Sequence, residues 1–81
     1  MEIRYSYKAA RQLDDLPILI KQRLIEKMRF FALQENPLTF AKSIQIEKLY
    51  RFRVGNYRIV FQLKQKMIFV VIIGKRDKIY T

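Results

Sequence analysis

Three features of this sequence predict an α+β fold. Apolar residues recur at helical spacing in the first half, three apolar strand-like segments follow in the second half, and a Gly-Asn pair separates two of those segments. The expected architecture is an N-terminal strand and a helical hairpin packed on one face of a largely antiparallel sheet of three to four strands. With 81 residues and no linker, repeat or low-complexity tract, residues 1–81 are expected to form a single domain.

A strand and a short helix are predicted at the start of the chain. Residues 2–7 alternate in polarity, which is typical of a strand with one buried side. Ser6 is a residue type that caps helices, so a helix is expected to follow it and to reach about Leu16. The apolar face of that helix would consist of Ala9, Ala10, Leu13 and Leu16.

A second, longer helix is expected from about Pro17 to Glu35. Proline suits the first turn of a helix, and the acidic pair at 14–15 suits the positive end of its dipole. The Asn-Pro pair at 36–37 should end this helix, because the residue before a proline avoids the α-helical conformation. Its apolar face is expected to contain Ile18, Leu24, Ile25, Met28, Phe31 and Ala32.

Three apolar segments are predicted to form the rest of the sheet, after a loop of about ten residues. They cover residues 47–54, 57–64 and 67–73. The last segment is apolar at every position, so it is expected inside the sheet and not at its edge.

The first two of these segments should form a hairpin around Gly55-Asn56, because glycine supplies the positive φ that a two-residue hairpin turn requires. With these two residues as the loop, the register pairs Val54 with Tyr57, Arg53 with Arg58, Phe52 with Ile59, and Arg51 with Val60. Because side chains alternate along a strand, the helices would cover one face of the hairpin. That face would contain Tyr50, Phe52, Val54, Tyr57, Ile59 and Phe61.

The other, exposed face of the hairpin would carry a cluster of arginines, namely Arg51, Arg53 and Arg58, together with Val60. Directly opposed like charges destabilise a sheet, and the nearest acidic residue, Glu47, lies well down the strand. We therefore expect the cluster to receive an anion from another molecule. The guanidinium group matches phosphate geometry, which favours an RNA or DNA backbone. The alternative interpretation is an exposed basic strand face with no ligand.

The composition excludes several kinds of site and favours anionic partners. The chain has no cysteine and no histidine, so a disulfide framework, a thiolate nucleophile and a histidine base are excluded, and no metal or cofactor is predicted. The net charge is +10, which favours nucleic acid first, an acidic protein second and an anionic membrane surface third. The longest apolar run, 67–73, is too short to span a bilayer, so a cytoplasmic location without a membrane partner is expected.

Motifs along almost the entire chain resemble the RelE/ParE family of toxins from type II toxin–antitoxin pairs. The motifs are SYKAARQLDDLP near the start, YRFRVGNYRIVFQL in the hairpin and VVIIGKRDKIY at the end. The resemblance implies the α+β fold described above and, for the RelE branch, a ribosome-dependent endoribonuclease that cuts mRNA in the decoding site. It also implies an acidic, RelB-like antitoxin, whose binding to this basic chain should weaken with salt.

The resemblance also assigns candidate catalytic residues by motif: Arg51, Arg53, Arg58, Arg76 and Tyr80. The two strand positions, 51 and 53, are often lysine in RelE-type nucleases, and arginine very rarely releases a proton, so a lysine base at those positions is not available here. The residues predicted to bind RNA are Lys48, Arg51, Arg53, Lys75 and Lys78.

Cleavage of RNA by its own 2′-hydroxyl requires a base, stabilisation of the charged phosphorane and an acid for the leaving 5′-oxygen. The arginines can supply the second requirement. For proton transfer the candidates are Glu47, Lys48, Lys75 and Tyr80. We favour Tyr80 as the base, because nearby cations lower the pKa of a phenol, and Arg76 as the group that orients the leaving oxygen. Two other functions stay open: a ParE-like inhibitor of DNA gyrase, and a non-catalytic RNA-binding domain or inactive toxin.

Overall fold

Two helices pack on one face of a five-stranded mixed sheet in the computed structural model, which describes residues 1–44 and 48–75. The elements are β1 (Glu2–Tyr5), α1 (Tyr7–Asp14), α2 (Ile18–Leu33), a 3-10 turn (Pro37–Phe40), β2 (Lys42–Ile44), β3 (Leu49–Val54), β4 (Tyr57–Lys64) and β5 (Met67–Lys75). The strand order is β1-β5-β4-β3-β2, in which only the β1–β5 pair is parallel. The α+β class is confirmed, and β5 lies inside the sheet as expected.

The predicted number of strands was too low. Residues 42–44 fall within the segment expected to be a loop, yet they pair antiparallel with the start of β3 and form the outer strand of the sheet. The same segment also contains the 3-10 turn at 37–40. Three residues are too few to show an alternation that differs from that of a loop, which is why the pattern did not reveal β2.

Helix α1 is fixed at both ends of its contact with β5. The Ser6 hydroxyl accepts a hydrogen bond from the Ala9 amide (3.0 Å) and donates one to the Val71 carbonyl (2.7 Å). Near the other end, the Ile73 amide donates to the side-chain oxygen of Gln12 (2.8 Å). The first of these bonds is made to Val71, which has no partner in β4 because the β4–β5 register shifts there, and a β-bulge leaves such ladder groups in need of other partners.

Helix α2 begins directly after Pro17 and supplies most of the helical part of the core, through Leu24, Met28, Phe31 and Ala32. The prediction that Ile18 belongs to this buried face was wrong, since 63% of that residue is exposed. Ten residues at 3.6 per turn place Ile18 about 80° from Met28 around the helix, outside the part that reaches the sheet.

The centre of the core is a stack of three aromatic rings. Phe52 lies between Phe31 and Phe61, with ring centroids 3.9 Å and 4.2 Å away and interplanar angles of 13° and 12°. The rings come from α2, β3 and β4, so this stack joins the helical layer to the middle of the sheet. Among the described residues, no helix is long and apolar enough to cross a membrane.

Candidate functional site

The hairpin between β3 and β4 has the predicted register. Val54 pairs with Tyr57, and Arg53 pairs directly with Arg58 across the turn. Gly55 adopts a φ of +59° at the first central position of the turn, whereas Asn56 has no positive φ, as in a type II′ hairpin turn. This turn fixes which side chains share a face, because a slip of one residue would move every arginine to the other side.

Every predicted inward residue of the hairpin lies in or against the core, so the arginines lie on the opposite face of the sheet. We call this opposite side the open face, because neither α1 nor α2 packs on it. Following the registers across the sheet, its charged members in the described strands are Glu2, Arg4, Lys42, Arg51, Arg53, Arg58 and Lys64.

The arginines form two adjacent rows on the open face. Arg53 is directly opposite Arg58, and directly opposed positions in an antiparallel pair have Cβ atoms about 4.5–5.5 Å apart. In the next row on the same face, Arg51 is opposite Val60 on one side and Lys42 on the other. Four cationic positions on three neighbouring strands therefore lie side by side.

The three arginines differ in exposure, and the expectation of a fully exposed cluster was wrong for one of them. Arg53 is exposed and Arg51 is half-buried, but Arg58 is only 8% exposed. Arg58 lies on β4, which is the middle strand and has a neighbour on each side, and Val60 next to it on this face is also buried. A cation held at the base of the cluster is better fixed in position than one in free solvent.

Carboxylates are segregated from the arginine cluster. The described residues of β2, β3, β4 and β5 include no aspartate or glutamate. Glu2 is the one acidic residue on the open face within the described strands, and it pairs with Arg4 on the distant strand β1 (2.6 Å). The described acidic residues outside the strands belong to the helices or to the segments that follow them. Within the described residues, the charged side chains on the hairpin side of the open face are therefore all cationic.

Not all predicted site residues join the cluster. Lys48 is exposed with a φ of 54°, in the turn before β3, and it lies five positions along the chain from Arg53, or about 16 Å. Lys75 is the last residue of β5 and pairs with Tyr57, whose side chain contacts the core, so Lys75 has the orientation of the helix-covered face. The predictions for Glu47, Arg76, Lys78 and Tyr80 lie outside the described residues.

The structure adds Lys42, which the sequence analysis missed. Lys42 is exposed and pairs directly with Arg51 at the outer strand of the sheet. It was assigned to a loop because β2 is so short. Residues 42–44 show no polar–apolar alternation, so the sequence held no local signal for this strand.

The chemistry that this arrangement supports is anion binding. Guanidinium groups donate up to five hydrogen bonds in a planar fork and stay charged at all ordinary pH values, so they stabilise phosphate oxygens but transfer protons poorly. Among the described residues, no group of three potential metal-ligating side chains is close enough to hold a metal ion. Burial raises the pKa of Tyr5, against an opposing effect of the Arg29 charge, but Tyr5 packs against the core on the helix-covered face.

Comparison with protein families finds one matching model, described as the ParE toxin of type II toxin–antitoxin systems, parDE, over residues 3–80. The match covers the helices, the hairpin and the terminal motif together. No curated protein sequence is similar enough to count as a match.

Several solved structures share the fold. The toxin–antitoxin complex RelBE2 from Mycobacterium tuberculosis is 24% identical, with a TM-score of 0.78 over 93% of this chain and 96% of that one. The RelB-RelE antitoxin–toxin complex from Methanococcus jannaschii is 27% identical, with a TM-score of 0.71 over 95% and 94%. A chromosomal ParDE system from Pseudomonas aeruginosa is 18% identical, with a TM-score of 0.74 over 93% and 95%. Chains named for RelE and for ParE thus match about equally well.

Proposed function

The chain belongs to the RelE/ParE superfamily of toxins from type II toxin–antitoxin systems, and on that premise we propose that it is a ribosome-dependent endoribonuclease that cleaves mRNA. The observation that carries the proposal is the pairing of Arg53 with Arg58, with Arg51 in the next row. An opposed arginine pair is unfavourable for the sheet alone and suits a ligand with clustered negative charge. A phosphodiester that gains charge during cleavage is such a ligand.

The proposed reaction uses the RNA's own nucleophile. The 2′-oxygen attacks the adjacent phosphorus as a base removes its proton, the bond to the 5′-oxygen breaks, and that oxygen takes up a proton. The products are a 2′,3′-cyclic phosphate and a 5′-hydroxyl. Extra negative charge develops on the phosphate oxygens between these steps, and the arginines would stabilise it as prepositioned donors.

Within this scheme the buried Arg58 and the exposed Arg53 have different tasks. Arg58 is held at the base of the cluster and would contact the reacting phosphate in a fixed geometry. Arg53, Arg51 and Lys42 would bind the neighbouring backbone phosphates. Proton removal is assigned to Tyr80 and orientation of the leaving oxygen to Arg76, both on the strength of the terminal motif alone. The ribosome would bend the mRNA into line for attack.

We propose a cognate acidic antitoxin as the protein partner. Two of the matching structures described above are complexes of a toxin with its antitoxin. A chain with a net charge of +10 attracts an acidic protein strongly at low salt, and that attraction weakens as salt screens it.

A second candidate function is inhibition of DNA gyrase without chemistry on nucleic acid. The family model that matches this chain is named for ParE, which favours this candidate. The hairpin arginines favour the nuclease, because clustered guanidinium groups suit phosphate chemistry more specifically than they suit a protein surface.

Two parallel assays separate these candidates. The purified protein is incubated with ribosomes programmed with a defined mRNA, and separately with DNA gyrase and relaxed plasmid. The nuclease proposal predicts mRNA fragments with 5′-hydroxyl ends and normal supercoiling. Intact mRNA together with failed supercoiling would refute the nuclease proposal and support inhibition of DNA gyrase. No effect in either assay would leave a non-catalytic RNA-binding domain as the remaining function.

A further inference from the structure

Phe69 is the one aromatic residue of the described strands that lies outside the core. It is half-buried on the open face, where it pairs with Gln62 in β4 and with Arg4 in β1. The other aromatic side chains of these strands pack in or against the core, namely Tyr5, Tyr50, Phe52, Tyr57 and Phe61. No helix covers the Phe69 ring, so a ligand bound to the open face can reach it.

Phe69 lies on the same face as the arginine cluster and a short distance from it. Arg58 and Gln62 are four positions apart on β4, with Val60 between them on this face, which corresponds to about 13 Å. Phe69 is next to Gln62 on the neighbouring strand, about 4.8 Å to the side. A nucleic acid strand bound to the arginines would therefore reach Phe69 within a few nucleotides.

Lysine side chains lie beside the Phe69 ring. Lys64 is exposed, and its amino group lies 5.3 Å from the centre of the ring. Lys64 also lines an open recess of about 480 Å³ at this end of the sheet, together with Glu2, Gln65, Lys66 and Met67. Neither Lys64 nor Lys66 forms an ion pair within the described part of the chain. An accessible aromatic ring and available positive charge are thus adjacent.

The acidic residue of this recess is neutralised within the protein. The Glu2 carboxylate accepts a hydrogen bond from the Arg4 guanidinium at 2.6 Å. Arg4 is therefore engaged with a carboxylate, although it lies opposite Phe69. Lys64 and Lys66 remain as the cations that a phosphate in the recess can contact.

An open sheet face with an aromatic ring beside cations suits a single-stranded nucleic acid. Bases of single-stranded RNA stack on aromatic side chains of such sheets, while basic side chains contact the phosphates. We propose that Phe69 is a stacking platform for one base of single-stranded RNA, and that Lys64 and Lys66 contact the adjacent phosphate. The flexible stem of a lysine allows Lys64 to leave the ring when the base binds.

The inference rests on the proposed function in one respect, namely that RNA is the ligand of the open face. It adds a second contact, apart from the arginine cluster, that binds a base and not only charge. The alternative is that the lysines attract any polyanion and the ring merely supports the sheet. Stacking depends on the bases of the ligand, whereas charge attraction does not, so a strand without bases separates the two interpretations.

The test uses the full-length protein and two fluorescein-labelled probes. One is a mixed-sequence RNA of eight nucleotides with 2′-O-methyl groups, which cannot be cut because its 2′-oxygen cannot attack. The other is an abasic strand of the same length and charge. Fluorescence anisotropy measures binding to the wild type, Phe69→Leu, Phe69→Tyr and Arg53→Gln.

Tyr7→Leu is the matched control for the loss of an aromatic ring beside a cation. Tyr7 is 78% exposed on α1, and the Arg11 guanidinium lies 5.8 Å from the centre of its ring. It differs from Phe69 in lying on a helix and not on the open face. Tyr7→Leu should therefore bind both probes as the wild type does.

Phe69→Leu should bind the base-containing probe about fivefold or more weakly, while its affinity for the abasic probe stays unchanged. Phe69→Tyr keeps the ring and should bind both probes like the wild type, whereas Arg53→Gln should weaken the binding of both. The inference is overturned if Phe69→Leu binds the base-containing probe as tightly as the wild type does. Equal losses for the two probes would also overturn it, because the ring would then only support the sheet.

Cleavage of mRNA on programmed ribosomes, measured on the same preparations, distinguishes this inference from the proposed nuclease. A base-dependent loss of binding in Phe69→Leu without any cleavage by the wild type would refute the nuclease and uphold the stacking platform. Cleavage by the wild type with no base-dependent loss in Phe69→Leu would uphold the nuclease and refute the stacking platform.

Discussion

The two faces of the β3–β4 hairpin are built from alternating residues of the same strands, yet one is apolar and the other is cationic. The helix-covered face carries aromatic and aliphatic side chains, four of them almost fully buried, with Phe52 stacked between two other rings. The open face carries Arg51, Arg53 and Arg58 in adjacent rows. Period-two alternation lets one short segment supply core side chains on one side and a cationic surface on the other.

The buried core on one face of the hairpin allows like charges to lie opposed on the other face. Opposed arginines destabilise a strand pair by a few tenths to about 1 kcal/mol, whereas a buried aromatic side chain contributes several times as much. The core on one face therefore offsets the repulsion on the other. Substitutions on the two faces should separate stability from activity.

The largest expected effect is on the helix-covered face. Phe52→Ala should lower the free energy of unfolding by about 3–5 kcal/mol, because it leaves a cavity between Phe31 and Phe61. Urea denaturation followed by circular dichroism measures the change. Phe69→Ala is the matched control, because Phe69 is half-buried on the open face. This substitution should lower the free energy of unfolding much less. Equal losses of stability at the two positions would show that the two faces contribute equally to the free energy of unfolding.

On the open face, Arg58→Ala should mainly impair catalysis. Removing a donor that stabilises the transition state costs about 2–4 kcal/mol of activation free energy, and the rate should fall at every pH because arginine does not titrate. Single-turnover cleavage on programmed ribosomes measures this loss. Arg4→Ala removes the same side chain from the distant strand β1 of the same face and should have little effect. If both variants slow cleavage equally, the loss comes from the reduced positive charge of the face and not from contacts at a defined site.

Tyr80→Phe tests proton transfer separately from charge stabilisation. If the phenol is the base, this variant should flatten the rise of the cleavage rate with pH while ribosome binding stays intact. The same assay across a pH series, together with ribosome pelleting, provides the measurement. A wild-type rate with the same pH slope would exclude Tyr80 as the base.

The smallest effect concerns Tyr5 on the helix-covered face. Burial raises the pKa of Tyr5, so above pH ~10 the unfolded chain loses this proton before the folded protein does, and stability falls as pH rises further. Tyr5→Phe should therefore lose less stability than the wild type between pH 10 and 11. Thermal melts across this pH range measure the difference. Tyr7→Phe, at a largely exposed position, should show the same dependence of stability on pH as the wild type.

The sequence alone predicted the structure correctly where the conformation depends on a few neighbouring residues. The glycine at position 55 fixed the turn, the turn fixed the register, and the register placed three arginines on one face. Ser6 likewise marked the start of α1 through its capping hydroxyl.

Other features depend on contacts between distant parts of the chain. Strand β2 exists because β3 is there to pair with it, so Lys42 could not be assigned from three residues alone. The burial of Arg58 follows from the position of β4 in the middle of the sheet. The hairpin motif does not determine the order of the strands, so this burial could not be predicted from it. Ile18 matched the helical period but lies beyond the part of α2 that reaches the sheet.

The most direct test of the difference between the two faces is Arg53→Gln, measured for cleavage and stability on the same preparation. Arg53 is exposed, forms no ion pair with a described residue and lies directly opposite Arg58. The proposed nuclease predicts that single-turnover mRNA cleavage falls by about tenfold or more, while the free energy of unfolding is unchanged or rises by up to about 1 kcal/mol. Unchanged cleavage with reduced stability would show that the arginine cluster is structural and would contradict the proposed nuclease site.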